Sequence, residues 1–249
     1  MNILVTNDDG IFSSGIFALW EVAKEFGEVS VVAPKSQKSA VGHSITISNP
    51  VFVNGIKRRE GFEGFAVSGS PADCVKIGIK KIVDKKPDLL LSGFNLGSNL
   101  GNNIIYSGTV AGALEGSMQN IPSLALSIDS SNPKSFDTSK YVIRKVIEFL
   151  FKQNIRKKTA LNVNIPDCRL DQLKGLKITS QGNEYFEDDF NAYKDPKGNN
   201  YYWMKGEMVD NDDSFDSDSF AIKKNYASIT PIGFKMSDNE VFENLKNTI

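Results

Sequence analysis

Two adjacent carboxylates, Asp8 and Asp9, follow the apolar run Ile3-Leu4-Val5 and precede Gly10. Side by side they repel, an unfavourable arrangement at the end of what reads as a buried strand. A cation would relieve it. Both side chains reach one point only if the chain turns there, because successive strand residues face opposite ways. Gly10 makes a sharp turn cheap. Two neutral oxygen donors, the Ser39 hydroxyl and the Asn95 amide, lie in other loops that follow strand candidates. An all-oxygen set of Asp8, Asp9, Ser39 and Asn95 suits one hard divalent cation, Mg2+ or Mn2+ foremost and Ca2+ also compatible. Each member alone has a bland reading as a cap or turn residue; the set carries the inference.

The loop from Asn95 to Thr109 resembles an anion cradle. Glycines 93, 97, 101 and 108 permit close backbone approach. Ser107, Gly108 and Thr109 open a helix, where free N–H groups and the dipole favour phosphate. His43 is the only histidine, which excludes a multi-histidine zinc centre. It reads either as an acid or phosphate contact or as a loop residue hydrogen-bonded locally. The dinucleotide fingerprint and the P-loop motif are both absent. A cation held by two Asp beside a phosphate cradle points to phosphoryl chemistry, with one Asp orienting or deprotonating water.

These residues need a frame. "NILVT", a helix over "SSGIFALWEVAKEFG" stopped by Gly27, and "EVSVVAP" form a strand–helix–strand unit with parallel strands. Weaker strands follow at "PVFVNG" and "GFAVSG". "SPADCVKIGIKKIV" reads as a helix with Ser70 at N-cap and Pro71 in its first turn. "PDLLLSG", "VAGALEGSM", "IPSLALS", "KYVIRKVIEFLFKQ" and "TALNVNIP" continue the strand–helix alternation. The fold class is therefore α/β, a Rossmann-like doubly wound, mostly parallel sheet. Ligands of such sheets bind beyond the carboxyl ends of the strands, where all three polar loops fall. Residues 1–249 read as one domain: an α/β core over 1–179, a hairpin-bearing extension over 180–235 and a short terminal helix over 236–249. The acidic run Asp210 to Asp218 reads as a solvated loop. Tyr201, Tyr202 and Trp203 line a base pocket or pack an interface.

Hydrophobic residues make up 40 % of the chain, charged residues 24 %, and the net charge is −1. No global field recruits a nucleic-acid polymer or an anionic membrane. Cys74 and Cys168 do not make a disulfide scaffold, and no basic leader or membrane-length apolar run is present. The expected location is the cytoplasm.

The chain resembles the stationary-phase survival protein SurE family of metal-dependent 5'-nucleotidases. The resemblance rests on "ILVTNDDG", "VVAPKSQKSAVGHSIT", "GSPADCV", "PDLLLSGFNLGSNLG", "YSGTVAGALEG", "NVNIP", "DPKGNNYYW" and "ASITPI", spread over nearly the whole length. It implies metal ligands at Asp8, Asp9, Ser39 and Asn95, and phosphate-side positions at Asn99, Ser107, Gly108 and Thr109. It also implies phosphate release from nucleoside 5'-monophosphates, often with broader phosphatase activity. Family members are cytoplasmic homodimers or homotetramers with an exchanged C-terminal arm. The chain departs from the family pattern in having Ser70 between Gly69 and Pro71, and "DSFDSDSFAI" where the arm ends. Asp8 is the expected ligand and water activator, Asp9 the second catalytic carboxylate, acting chiefly as ligand. Two alternatives stand beside this. A phospho-aspartate phosphatase needs two Asp one residue apart, a spacing that pairs Asn7 with Asp9 or Asp8 with Gly10 and fails both times. A non-catalytic, metal-dependent nucleotide-sensing module would use the same ligands.

Overall fold

Leu4, Val5 and Thr6 are fully buried because strand β1 (Asn2–Thr6) lies in the interior of a nine-stranded sheet. The computed structural model describes residues 1–153, 158–246 and 248, without the side chains of Arg59 and Glu240. After β1 come α1 (Ser14–Ala23), β2 (Glu28–Pro34), β3 (Val53–Lys57), β4 (Glu63–Val67) and α2 (Pro71–Ile77). Then follow β5 (Leu89–Leu96), α3 (Gly108–Met118), β6 (Ser123–Ile128), α4 (Asp137–Lys152) and β7 (Ala160–Ile165). The chain continues through β8 (Gly175–Ile178), β9 (Tyr185–Lys194), β10 (Asn200–Val209), α5 (Asp218–Lys223), β11 (Tyr226–Ile232) and α6 (Asn239–Lys246).

The sheet order is β3-β4-β2-β1-β5-β6-β7-β11-β8. Strands β4 to β7 in that order run parallel, and antiparallel pairs occur at β3–β4 and β7–β11. One face packs Ile3, Val5, Leu89 and Leu91 with Ile16, Leu19 and Trp20 of α1 and Val142, Ile143 and Val146 of α4. The other packs Leu4, Val32 and Leu90 with Cys74 and Val75 of α2, while α3 lies over β5 and β6. Helices on both faces make the sheet doubly wound, as the sequence predicts. Strands β6 and β7 are buried throughout, the pattern of parallel strands covered on both sides.

Helix α3 approaches the sheet unusually closely. Gly108, Gly112 and Gly116 recur every four residues and so share one helix face. A methyl group on them would meet Asp8 Cβ at 2.8 Å, Ser92 Oγ at 2.7 Å and Ser123 Oγ at 2.5 Å respectively. The glycine stripe brings the N-terminus of α3 against the end of β1.

Local differences from expectation have physical causes. Helix α1 ends at Ala23 rather than running to Gly27, because Glu25 and Phe26 close tight turns onto Val22 and Ala23. Helix α2 is capped as predicted: Ser70 accepts from the Asp73 N–H and Asp73 accepts from the Ser70 N–H. Within 180–235 only β9 and β10 form the arm. Tyr226–Ile232 returns to pair with β7, and α5 packs on it. The acidic run is not simply solvated. Asp218 is fully buried and takes the N–H groups of Gly101, Gly182 and Ser219, and Asp210 pairs with Lys223 at 2.7 Å. Asn247 and Ile249, in the expected terminal segment, lie outside the described residues. Among the described residues no helix is long and apolar enough to cross a membrane.

Candidate metal and phosphate site

The carboxylate pair sits where β1 turns into α1. Asn7 holds the turn: its Nδ2 donates to the Gly10 carbonyl at 3.1 Å and to Ser13 Oγ at 2.9 Å, while its Oδ1 accepts from the Gly10 N–H. Gly10 has φ +95°, a conformation unfavourable to residues with a Cβ. Asp8 is 4 % exposed. Its Oδ1 accepts from Thr109 Oγ1 at 2.5 Å and its Oδ2 from the Thr109 N–H at 3.0 Å. The first carboxylate is therefore bound to the N-terminal turn of α3, the same turn read as the phosphate cradle. Asp9 Oδ2 accepts from the Leu96 N–H at 3.2 Å, and its Oδ1 lies 3.4 Å from Gln37 Nε2. That amide also donates to Ser39 Oγ at 2.9 Å, so Gln37 bridges Asp9 and Ser39.

Asn95 arrives from the end of β5. The ladder to β6 slips between Ser92 and Asn95, a bulge with Gly93 at φ +146°. Bulges redirect side chains at strand ends. Asn95 donates its Nδ2 to the Gly97 carbonyl at 2.7 Å, which leaves its Oδ1, the atom a cation takes, outside that bond. The structure thus gathers Asp8, Asp9 and Ser39 through Thr109, Leu96 and Gln37, with Asn95 adjacent to Leu96. Among the described residues no group of three or more His, Cys, Asp or Glu side chains could hold a metal. A cation here would depend on neutral oxygens to complete its shell.

Electrostatics fit that requirement. Burial pushes the Asp8 carboxyl up to about 6; the Thr109 hydroxyl opposes the rise and the Asp9 charge adds to it. Burial also raises Asp9, against hydrogen bonds from Leu96 and Gln37. A buried carboxylate beside a half-buried one, both with raised pKa values, is a pair in want of positive charge.

Ser107 caps α3, its Oγ accepting from the Val110 N–H at 3.1 Å, and its hydroxyl proton stays free to donate. Gly108 lies against Asp8 and the Lys38 carbonyl. Asn99 is locked below the loop: its carbonyl accepts from Asn162 and Asn164, its N–H donates to Asn164 Oδ1, and its Nδ2 donates to Ser127 Oγ at 2.7 Å. His43 meets α3 further along, with Nε2 at 3.1 Å from Glu115 Oε2. Tyr201, Tyr202 and Trp203 are exposed on the arm, and Tyr201 stacks on Tyr193.

Gln37, Glu115, Asn162 and Asn164 are participants that residue type and spacing do not single out. The two asparagines did leave a signal: "ALNVNI" places two amides on one face of a wholly buried strand, which is unfavourable unless they are bonded. Glu115 left one too, as a single carboxylate in an otherwise small and apolar helix.

Comparison with known proteins agrees with this geometry. Residues 3–188 match the family model described as survival protein SurE. The chain is 45 % identical to the 5'-nucleotidase SurE of Thermosipho melanesiensis over 99 % of its own length and 96 % of that protein's. It is 46 % identical to the Kosmotoga olearia 5'-nucleotidase SurE over 100 % and 98 %. The chain belongs to the survival protein SurE family. The crystal structure of the SurE protein from Aquifex aeolicus superposes with a TM-score of 0.84 at 39 % identity, covering 100 % of this chain and 99 % of that one. The SurE fold is therefore the α/β arrangement predicted above. Because these full-length SurE relatives carry the name of an enzyme, the non-catalytic sensing module is not favoured.

Proposed function

We propose that this SurE-family chain is a metal-dependent 5'-nucleotidase, a phosphomonoesterase that hydrolyses nucleoside 5'-monophosphates to nucleoside and phosphate and also acts on other monoesters. One observation carries the reading. Asp8 is hydrogen-bonded to both donors of Thr109, so the carboxylate pair and the helix N-terminus form a single site. The names of the relatives supply the substrate class.

The residues fit a divalent cation, one per subunit, held by Asp8, Asp9, Ser39 and Asn95. Mg2+ or Mn2+ suits this oxygen set, and Ca2+ is compatible with it. Once bound, such an ion polarises the phosphate and makes a water more acidic. The protein's own groups do the rest. Ser107 and Gly108 receive the phosphate at the positive end of α3, and Thr109 orients Asp8 while closing that cradle. Asn99 and His43 stand on the substrate side. The Asp8 carboxylate takes the proton of the attacking water as its oxygen bonds to phosphorus. The ester P–O bond breaks, the nucleoside 5' oxygen takes up a proton from solvent, and Asp8 returns its proton to solvent.

We place the protein in the cytoplasm as a homodimer or homotetramer with the β9–β10 arm exchanged between subunits, without membrane or nucleic-acid polymer partners. Two exposed strands bearing Tyr202 at 62 % and Trp203 at 67 % exposure support a partner for the arm. An isolated two-stranded ribbon is marginal in water.

The test is phosphate release from a panel of nucleoside 5'-monophosphates with Mg2+ or Mn2+, with and without chelator. Release should be chelator-sensitive, and folded Asp8→Asn protein should lose about a hundredfold or more. Absence of chelator-sensitive release across the panel, or near-normal Asp8→Asn activity, overturns the reading.

A further inference from the structure

The Ser39 loop spans residues 35–52, between β2 and β3, without regular secondary structure. Loops this long in compact domains are uncommon and tend to be functional. Hydrophobic packing holds it only at its end, where Val51 meets the core; residues 43–50 are exposed, with Ile45 at 47 % and Ile47 at 82 %. Polar contacts hold the rest. Near its start the Lys38 N–H donates to the Asp8 carbonyl at 2.7 Å. Past Ser39 the Gly42 N–H donates to the Tyr106 carbonyl at 2.9 Å, and His43 meets Glu115. Further on, Ser70 Oγ donates to the Ser44 carbonyl, and Thr46 donates from N and Oγ1 to Asp73.

The His43 contact is anchored deeply. Glu115 is 1 % exposed and lies two turns along α3 from Gly108. Its Oε1 takes Lys76 Nζ from α2 at 2.8 Å and Gln119 Nε2 at 3.3 Å, leaving Oε2 to His43. The helix that fixes Asp8 through Thr109 thus also fixes, through Glu115, the loop that bears Ser39. Both kinds of donor are set by one rigid element.

We propose that the His43–Glu115 contact is a latch: Glu115 and His43 are positioning residues that fix Ser39, and with it the affinity of the site for a divalent cation. The proposal rests on reading Ser39 as a donor to that cation. Ser39 is four residues from His43, and the latch is the side-chain contact nearest to it on that side, next to the backbone bond from Gly42 to Tyr106. Supporting residues around metal ligands typically affect metal affinity or activity 10- to 100-fold.

The experiment is calorimetric titration of Mn2+ into metal-stripped protein without substrate, with steady-state kinetics in parallel. His43→Ala should raise the Mn2+ Kd about tenfold, at the low end of that range. It should raise the Mn2+ concentration for half-maximal rate in step. His43→Gln, whose amide nitrogen can occupy the Nε2 position, should restore most of the affinity. Lys76→Ala removes the other ion pair of Glu115 and should leave the Kd within about twofold. Glu115→Gln combined with His43→Ala should be no worse than His43→Ala alone, as for two members of one interaction. An unchanged Kd in His43→Ala, equal effects of His43→Ala and Lys76→Ala, or no rescue by His43→Gln overturns the latch. Failure of the underlying metal site gives a different result: the parent itself would bind no Mn2+, or Asp9→Asn would bind it as well as the parent does.

Discussion

At the scale of single residues, the site depends on how closely a backbone can approach a carboxylate. Gly108 has no side chain, and a Cβ there would lie 2.8 Å from Asp8 Cβ and 3.2 Å from the Lys38 carbonyl. Gly108→Ala must push the first turn of α3 away and stretch both Thr109 bonds to Asp8. Overpacking of this kind costs about 1–3 kcal/mol. Phosphate release by Gly108→Ala should fall at least about tenfold in kcat/KM while the protein stays folded, as initial rates and a thermal melt would show; a parent-like rate would mean that the turn gives way without disturbing Asp8. The candidate ligands were legible in the sequence because adjacent Asp residues at a strand end repel each other, and a bound cation is what relieves that repulsion. Gln37 was not legible. Its role is a bridge between Asp9 and Ser39, and nothing in its type or spacing distinguishes it from a surface glutamine.

At the scale of elements, α3 is the part that joins the pieces. Its glycine stripe sets its distance from β5 and β6, its first turn holds Asp8, and Glu115 ties it to α2 and to the Ser39 loop. Burial alone would raise the Glu115 carboxyl, but His43, Lys76 and Gln119 outweigh it and hold the group at about 2. Because the folded value lies below the ordinary 4.5, Glu115 stabilises the fold fully above about pH 4.5. That contribution, about 3 kcal/mol at most, is lost as the pH falls toward 2. Glu115→Gln should therefore be less stable than the parent in urea melts at pH 7, with the gap closing between pH 4.5 and 2. A gap independent of pH would show that packing, not charge, is what the substitution removes. Most of the alternating strands and helices up to β7 were readable because of strong apolar patterns and clear stops, with β3 and β4 the weaker signals. Strand β8 was not: its four residues, GLKI, sit half-exposed at the sheet edge and make too short a pattern. Helix α5 was hidden because its cap, Ser217, and its buried Asp218 sit inside a run of acids that composition alone reads as solvent-facing.

At the scale of the whole molecule, the arm and the core have different requirements. Strands β9 and β10 pair over ten positions, from Tyr185 with Val209 to Lys194 with Asn200, a ribbon roughly 33 Å long. Its root meets the loop between β5 and α3: the Asn102 N–H donates to the Glu184 carbonyl at 2.7 Å. Replacing residues 187–207 by an Asn-Gly turn between the paired Phe186 and Met208 keeps that root and removes the reach. Sedimentation should then show a smaller assembly than the parent forms, with the core melting as a folded unit; an unchanged sedimentation coefficient would place the subunit contacts elsewhere. One further property belongs to the chain as a whole. It contains a single histidine, and that histidine is half of the contact with Glu115. In a proton NMR spectrum the imidazole ring therefore contributes one pair of carbon-bound signals with no others of its kind. The position of the Ser39 loop can be followed in unlabelled, unmodified protein by where those two lines fall and how they move as Mn2+-free Mg2+ is titrated in.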